Sequence, residues 1–380
     1  MKILIIGQGG QISDMLSWYF NSMGHKVYQY RPRKVNVPGV PIRPKKKLER
    51  NFSIKDPLQI AETATISYRV PDNVADPAYD VVVIATPSYL IPFIARDLGK
   101  VLHGRVVINV SDRFMGGLEL AQVMATKGHS PKQVICLNKT PLQSYSENYY
   151  ESKNLYFFKR VVHYFALDLN GQAPLTGLIE NLFPDTVQFH KAENYFDLAF
   201  ENVHSILHAV QDLANLKLGN YFQFSAAKRL YSHSTYTSDM IARVNRIVAV
   251  RDAIAQRYTH GDFKSLQVYD GKLYSSFRKV SGGTTSYRQD HQILNQLPAP
   301  LSINCCGYED IGWAMVPLEA MGILAGVDTQ ALSHLINEWN EFMGVNYRFT
   351  GRRLGELIRF GQEKGIFPQY LELRAGKLVP

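Results

Sequence analysis

At 380 residues, 46% of them hydrophobic, and a net charge of +9, the chain is long enough to bury two sizeable cores, so two globular domains are expected. No stretch approaches the ~18 consecutive apolar residues of a membrane span, and the N-terminal apolar run meets a glycine turn in place of a small-residue cleavage site. The chain therefore reads as cytoplasmic, with no membrane partner. The three cysteines, Cys136, Cys305 and Cys306, are odd in number and lack C-x-x-C spacing, which argues for free thiols and against a disulfide framework or zinc site.

In chain order, the first element expected is a strand at residues 3–6, followed at once by Gly7-Gln8-Gly9-Gly10 and a helix over 11–23 whose Ile12, Met15, Leu16, Tyr19, Phe20 and Met23 recur at helical spacing. A strand, glycine turn and helix at this spacing form a pyrophosphate cradle. Gly7, Gly9 and Gly10 allow a tight turn and close backbone approach, and the helix opening at Gln11 points the positive end of its dipole at the phosphates. Ile12 stands where the third small residue of G-x-G-x-x-G normally sits.

A second strand over 27–30 ends in Tyr30-Arg31-Pro32-Arg33-Lys34, the start of a segment through Arg50 with eight basic residues and one acid, Glu49. A charge excess that local, among Pro32, Pro38, Pro41 and Pro44, reads as one anion-binding loop and a solvated linker. It lacks the extended basic face that tracks a duplex, so no nucleic-acid partner is expected. An acid after the second strand would bond an adenosine ribose and favour NAD. Arg31, Arg33 and Lys34 instead suit a 2′-phosphate, so NADP (NADPH) is the expected cofactor.

Residues 51–76 show at most a short strand near 65–68. Apolar runs at 81–86, 106–110 and 134–137 alternate with helical patterns at 90–102 and 117–127, which predicts a doubly wound parallel sheet with its ligand crevice at the carboxyl ends of the strands. From about Glu193 helical patterns take over, at 193–218, 237–257, 314–325 and 329–343, with a short Gly/Ser/Thr loop at 281–286. The expected fold class is thus an α/β Rossmann-like N-terminal domain, residues 1–190, followed by a mainly α-helical substrate and catalytic domain, residues 191–380, with the active cleft between them.

On the helix expected over 193–218, His204, His208, Gln211 and Asn215 fall on one face of an otherwise apolar element. Burying unpaired imidazoles and amides costs about 1–3 kcal/mol each, so this stripe meets either solvent or a functional cleft. Ser205 follows His204 where a zinc protease has Glu, and no third ligand is near, so no metal is expected. The pair Glu309-Asp310 precedes the apolar run at Trp313. Spacing leaves it open whether these acids serve the helix dipole or catalysis.

The stretch Leu182-Phe183-Pro184, Ala192-Glu193-Asn194, Asn202, His208, Leu213 and Asn215 resembles the helical-domain signature of the octopine and nopaline (opine) dehydrogenases. So does Tyr308-Glu309-Asp310-Ile311 with Val316-Pro317 and Leu324 to Thr329. Thr86-Pro87-Ser88, and Thr140 with Tyr145, are weaker echoes, and the match covers residues 1–345 in the family's order. Ala209 and Gln330 replace prolines of the pattern, and the Arg-Tyr before the acidic pair is absent around Cys305-Cys306.

The resemblance, which extends to the opine metallophore branch, implies a reductive condensation: an amine and a 2-oxo acid form an imine that a nicotinamide reduces. It carries the catalytic pair onto His208 and Asp310, and cofactor contacts onto Thr86 and Pro87. Asn202, His204, Gln211, Asn215 and Tyr308 become substrate candidates, and Arg251 matches a family position. The implied partners are the small-molecule amine and oxo acid, with a second copy of the chain as a candidate for a homodimer. A ketopantoate reductase-like 2-oxo acid reductase, with Lys139 as proton donor, and a non-catalytic NADP-binding sensor are the alternatives.

Overall fold

The computed structural model describes residues 1–7, 11–30, 51–52, 65–67, 79–110, 112–145, 152–159, 161–169, 175, 177–201, 204–217, 238–259 and 309–367. The chain folds as two units. One holds the described residues up to Tyr195 together with Phe360–Phe367, and the other spans Phe196–Arg359.

The first unit is built on strands β1 (Lys2–Ile6), β2 (Lys26–Tyr30), β3 (Asn51–Phe52), β4 (Thr65–Ser67), β5 (Val81–Ile84), β6 (Val106–Asn109), β7 (Gln133–Leu137), β8 (Leu142–Tyr145), β9 (Ser152–Phe158), β10 (Val161–Leu167) and β11 (Gln188–Lys191). Eight form one sheet in the order β11-β10-β7-β6-β5-β1-β2-β4. From β7 to β4 every pair is parallel. The runs VVVI in β5 and QVICL in β7 are buried throughout, as strands covered on both faces must be. Ile3, Ile5, Val81, Val83, Ile108 and Ile135 join one core with the apolar face of α1 (Gln11–Ser22), where the rings of Tyr19 and Phe20 lie 5.9 and 5.5 Å from that of Phe183. Helix α2 (Ile91–Leu102), with Pro in its first turn, and α3 (Gly116–Ala125) follow β5 and β6.

Beyond β7 the sheet continues differently from the parallel expectation. Strand β10 pairs antiparallel with β7, Phe165 opposite Cys136, and β11 then pairs parallel with β10. A hairpin of β8 and β9, joined by β3, makes a small second sheet. A short helix α4 (Leu178–Leu182) precedes β11.

The second unit is helical in its described residues. The helix expected over 193–218 is two helices, α5 (Tyr195–Phe200), whose first residue belongs to the first unit, and α6 (His204–Lys217). Then come α7 (Ser238–Tyr258), a π-turn (Ile311–Met315), α8 (Val316–Ala325), α9 (Gln330–Met343), α10 (Tyr347–Thr350) and α11 (Leu354–Glu363), whose residues from Phe360 on belong to the first unit. Helix α6 packs on α7, and α7 on α8 and α9. Polar anchors fix this packing: the Trp339 indole donates to the Ala209 carbonyl at 2.9 Å, the Tyr258 hydroxyl to that of Met321 at 3.0 Å, and Arg348 grips Glu319 bidentately at 2.6 Å. No described helix is long and apolar enough to cross a membrane.

Candidate active site

In the first unit, three strand ends meet at the glycine turn. The Gly7 N–H donates to the Tyr30 carbonyl at 3.0 Å, and the Ala85 N–H to that of Ile6 at 2.8 Å, so the ends of β1, β2 and β5 lie side by side. A Cβ at Gly7 would overlap the Ser13 side chain on α1 and sit 3.3 Å from the Ala85 carbonyl, so only glycine lets the helix close on the strand here. Behind the turn, buried Gln29 donates to buried Asp14 at 2.6 Å, tying β2 to α1. Thr86 follows β5 with its hydroxyl buried and without a hydrogen-bond partner among the described residues. A sterically required glycine and an unsatisfied buried hydroxyl at adjoining strand ends fit a nucleotide. Pro87 is half-buried and opens a 3-10 turn (Ser88–Leu90).

Sequence reasoning missed a polar knot in the same unit. Asp112, buried after β6, accepts from the Asn109 amide at 2.8 Å, from the Gly117 N–H and from the Tyr195 hydroxyl at 2.6 Å. Tyr195 in turn accepts from the Leu118 N–H at 3.3 Å and lies 3.6 Å from the Cys136 thiol. Burial, and after it the Asp112 carboxylate, pushes both the Tyr195 phenol and the Cys136 thiol up, so both stay protonated as donors. Between Asp112 and α3, Phe114 and Met115 adopt φ of 40° and 72°, a strained conformation for side chains of that size. No motif in the sequence marks Asp112, because its partners are spread from Asn109 to Tyr195.

The second unit holds the His208–Asp310 pair. Ser205 and His208 lie three apart on α6 and so share a face. Asp310 is fully buried, with helical backbone angles of −68° and −34°, and its carboxylate makes no capping bond to the turn that follows. It accepts instead from the Ser205 hydroxyl at 2.8 Å on one oxygen and from His208 Nδ1 at 3.3 Å on the other. Asp310 is therefore bonded to the histidine and not to the start of the turn. The His208 side chain is 21% exposed. A carboxylate at Nδ1 favours the tautomer that carries its proton there. Ser205, noted in the sequence only for not being Glu, is the third member of this group.

Arg251 is buried and structural, donating to the Phe200 carbonyl at 2.8 Å and to Asp252. His204, Gln211 and Asn215 share α6 with His208, and Gln11 begins α1, but only their backbones are described. Gly9, Gly10, Arg31, Arg33, Lys34, Asn202 and Tyr308 lie outside the described residues, as do the 281–286 loop, Cys305 and Cys306.

This architecture, a Rossmann-like sheet unit with a mainly helical C-terminal part, is that of the opine dehydrogenases. The chain resembles octopine dehydrogenase in complex with NADH and agmatine at 12% identity and a TM-score of 0.60, over 95% of this chain and 96% of that one. NADP+-bound yersinopine dehydrogenase matches at 14% identity and 0.60, over 96% and 97%. A ketopantoate reductase from Ralstonia eutropha JMP134 matches at 12% and 0.54, over 90% and 99%. No protein-family model and no curated protein sequence matches the chain.

Proposed function

We propose that the chain is an NADP-dependent oxidoreductase of the opine dehydrogenase type, which condenses an amine with a 2-oxo acid and reduces the resulting imine. Residues 1–190 bind the cofactor and residues 191–380 carry the acid and base. The observation that carries this reading is the His208–Asp310 pair with Ser205 behind it, since a buried carboxylate fixes the imidazole tautomer and stabilises the imidazolium. His208 Nε2 protonates the oxygen that leaves as water during imine formation and takes up or returns the proton at nitrogen afterwards. Asp310 remains ionised throughout, its second oxygen satisfied by Ser205. The nicotinamide, when bound, supplies the hydride. Gly7, Gly9, Gly10, Gln11, Thr86 and Pro87 hold its pyrophosphate and nearby parts, and Arg31, Arg33 and Lys34 its 2′-phosphate. Asn202, His204, Gln211, Asn215 and Tyr308 are the proposed substrate contacts.

Cofactor consumption decides the matter. NADPH oxidation that requires an amine together with a 2-oxo acid supports the reading. Oxidation with the oxo acid alone replaces it with the ketone-reductase reading, which the ketopantoate reductase likeness favours. Tight NADPH binding with no turnover replaces both with a sensor. Arg31→Ala is expected to weaken NADPH by about 1.5–3 kcal/mol while leaving NADH nearly unchanged.

A further inference from the structure

The carboxylate of Asp310 meets two side chains from one turn of one helix. The Ser205 hydroxyl reaches one oxygen at 2.8 Å and His208 Nδ1 lies 3.3 Å from the other, so the bond to serine is the shorter. Ser205 and Asp310 are both fully buried. A proton added to the histidine and carboxylate can settle in two places. On the histidine it gives an imidazolium facing a carboxylate, with both ring nitrogens protonated. On Asp310 it gives a neutral acid that donates to Nδ1, and the ring keeps one proton, on Nε2. The two forms hold the same number of protons but differ in acidity: an imidazolium releases its Nε2 proton near neutral pH, whereas a neutral imidazole does not. Burial favours the neutral form, because it penalises charge and raises the proton affinity of a carboxylate. A hydroxyl donated to the carboxylate works the other way, since it stabilises the ionised oxygen most. The surrounding elements also carry the buried acids Asp212 and Glu309 and the buried cations Arg251 and Arg352, all of which stay in place when the hydroxyl alone is removed.

We propose that Ser205 is a positioning residue that sets where the catalytic proton sits: its hydroxyl keeps Asp310 ionised, so the proton goes to His208 and makes the imidazole an acid. This rests on the function proposed above for the reaction that uses the proton, and not for the placement itself. Residues 205 and 208 are three apart on α6, so a single helix face presents both the hydroxyl and the imidazole, and one carboxylate bridges them. The Trp339 indole, bound to the Ala209 carbonyl, ties the same stretch of α6 to α9 and so steadies the two side chains relative to each other.

The proton is read directly by heteronuclear NMR of the full chain with isotope-labelled histidine. Among the 11 histidines, His208 is the one whose signals vanish in His208→Ala. On acidification the wild-type ring should become an imidazolium, with both nitrogens protonated. In Ser205→Ala it should stay neutral, with its proton on Nε2, at pH values where the wild type is charged. In the same variant kcat should fall roughly 10–100-fold, the loss of one hydrogen bond to a charged group, with NADPH affinity unchanged. Ser205→Thr, which keeps a hydroxyl, should restore both the imidazolium signal and kcat. Urea midpoints and NADPH titration report that each variant has folded. The proposal is overturned if Ser205→Ala shows the wild-type imidazolium. It is also overturned if the Ala and Thr variants lose that signal equally, since packing and not the hydroxyl would then be responsible. The NMR measurement needs no substrate, so a hydroxyl-dependent imidazolium without amine-dependent turnover keeps this role for Ser205 and discards the condensation reading. Amine-dependent turnover with an unchanged imidazolium in Ser205→Ala does the reverse.

Discussion

Asp310 is the most constrained side chain of the candidate site. It is fully buried, and its two oxygens answer to two residues on one turn of α6, Ser205 and His208. Removing the imidazole in His208→Ala is expected to lower kcat by about 10²–10⁴-fold with NADPH affinity unchanged. Asp310→Asn should also lower kcat, because a neutral amide no longer stabilises the imidazolium. The double variant should be little worse than the worse single one, as befits residues acting as a unit. Steady-state rates with a proven amine and oxo acid, beside a fluorescence titration of NADPH, measure all three. An additive double variant would show the two residues to act separately.

At the scale of elements, Asp310 is held by the turn that follows it. The π-turn Ile311–Met315 places Gly312 against Gly351, where a Cβ on Gly351 would overlap the Gly312 carbonyl oxygen and come 2.7 Å from that of Tyr347. The Arg352 N–H closes the contact on the Gly312 carbonyl at 2.9 Å. Both obstacles are backbone and cannot swing aside. Gly351→Ala should therefore destabilise the helical unit by about 3 kcal/mol and impair turnover through displacement of Asp310, as read from urea denaturation and activity together.

Elements of this kind differ in how far a sequence reveals them. Strands β1, β5, β6 and β7 carry apolar runs rich in Val and Ile and are legible as buried parallel strands. The sequence of β11, Gln-Phe-His-Lys, has no apolar run, and its strand state comes from pairing with β10, which only tertiary structure supplies. The aromatic-rich β9 and β10 match neither period cleanly. His208 is legible from its place on a helical face. Its partner lies 102 residues on, a separation that only the family resemblance bridges, while Ser205 and Asp112 carry no local pattern at all.

At the scale of the whole molecule, the displaced Lys159 ammonium couples stability to pH. Its value of about 7 lies below the ordinary 10.5, so between those limits the unfolded chain holds a proton that the folded chain lacks, and stability rises with pH. Tyr19 and Tyr258, pushed up to about 12 by burial, act oppositely: above pH 10 the unfolded phenols ionise first and stability falls. Urea midpoints at pH 7 and pH 9.5 should show the rise in the wild type and a flatter response in Lys159→Met. Equal slopes would show that the ammonium is not held in a desolvated, cationic setting.

The first unit is discontinuous in the chain. Residues 360–367 return to it, with the Phe367 ring stacked 6.3 Å from that of Tyr195 and packed against Gly361. During synthesis, then, the nucleotide-type sheet leaves the ribosome more than 150 residues before the segment that completes it. Until that segment arrives, Tyr195 lacks one ring neighbour, and Tyr195 is the residue whose hydroxyl holds Asp112. Residues 360–367 thus brace the Asp112 loop through Tyr195, so the sheet unit cannot finish packing until the intervening helical segment has been made.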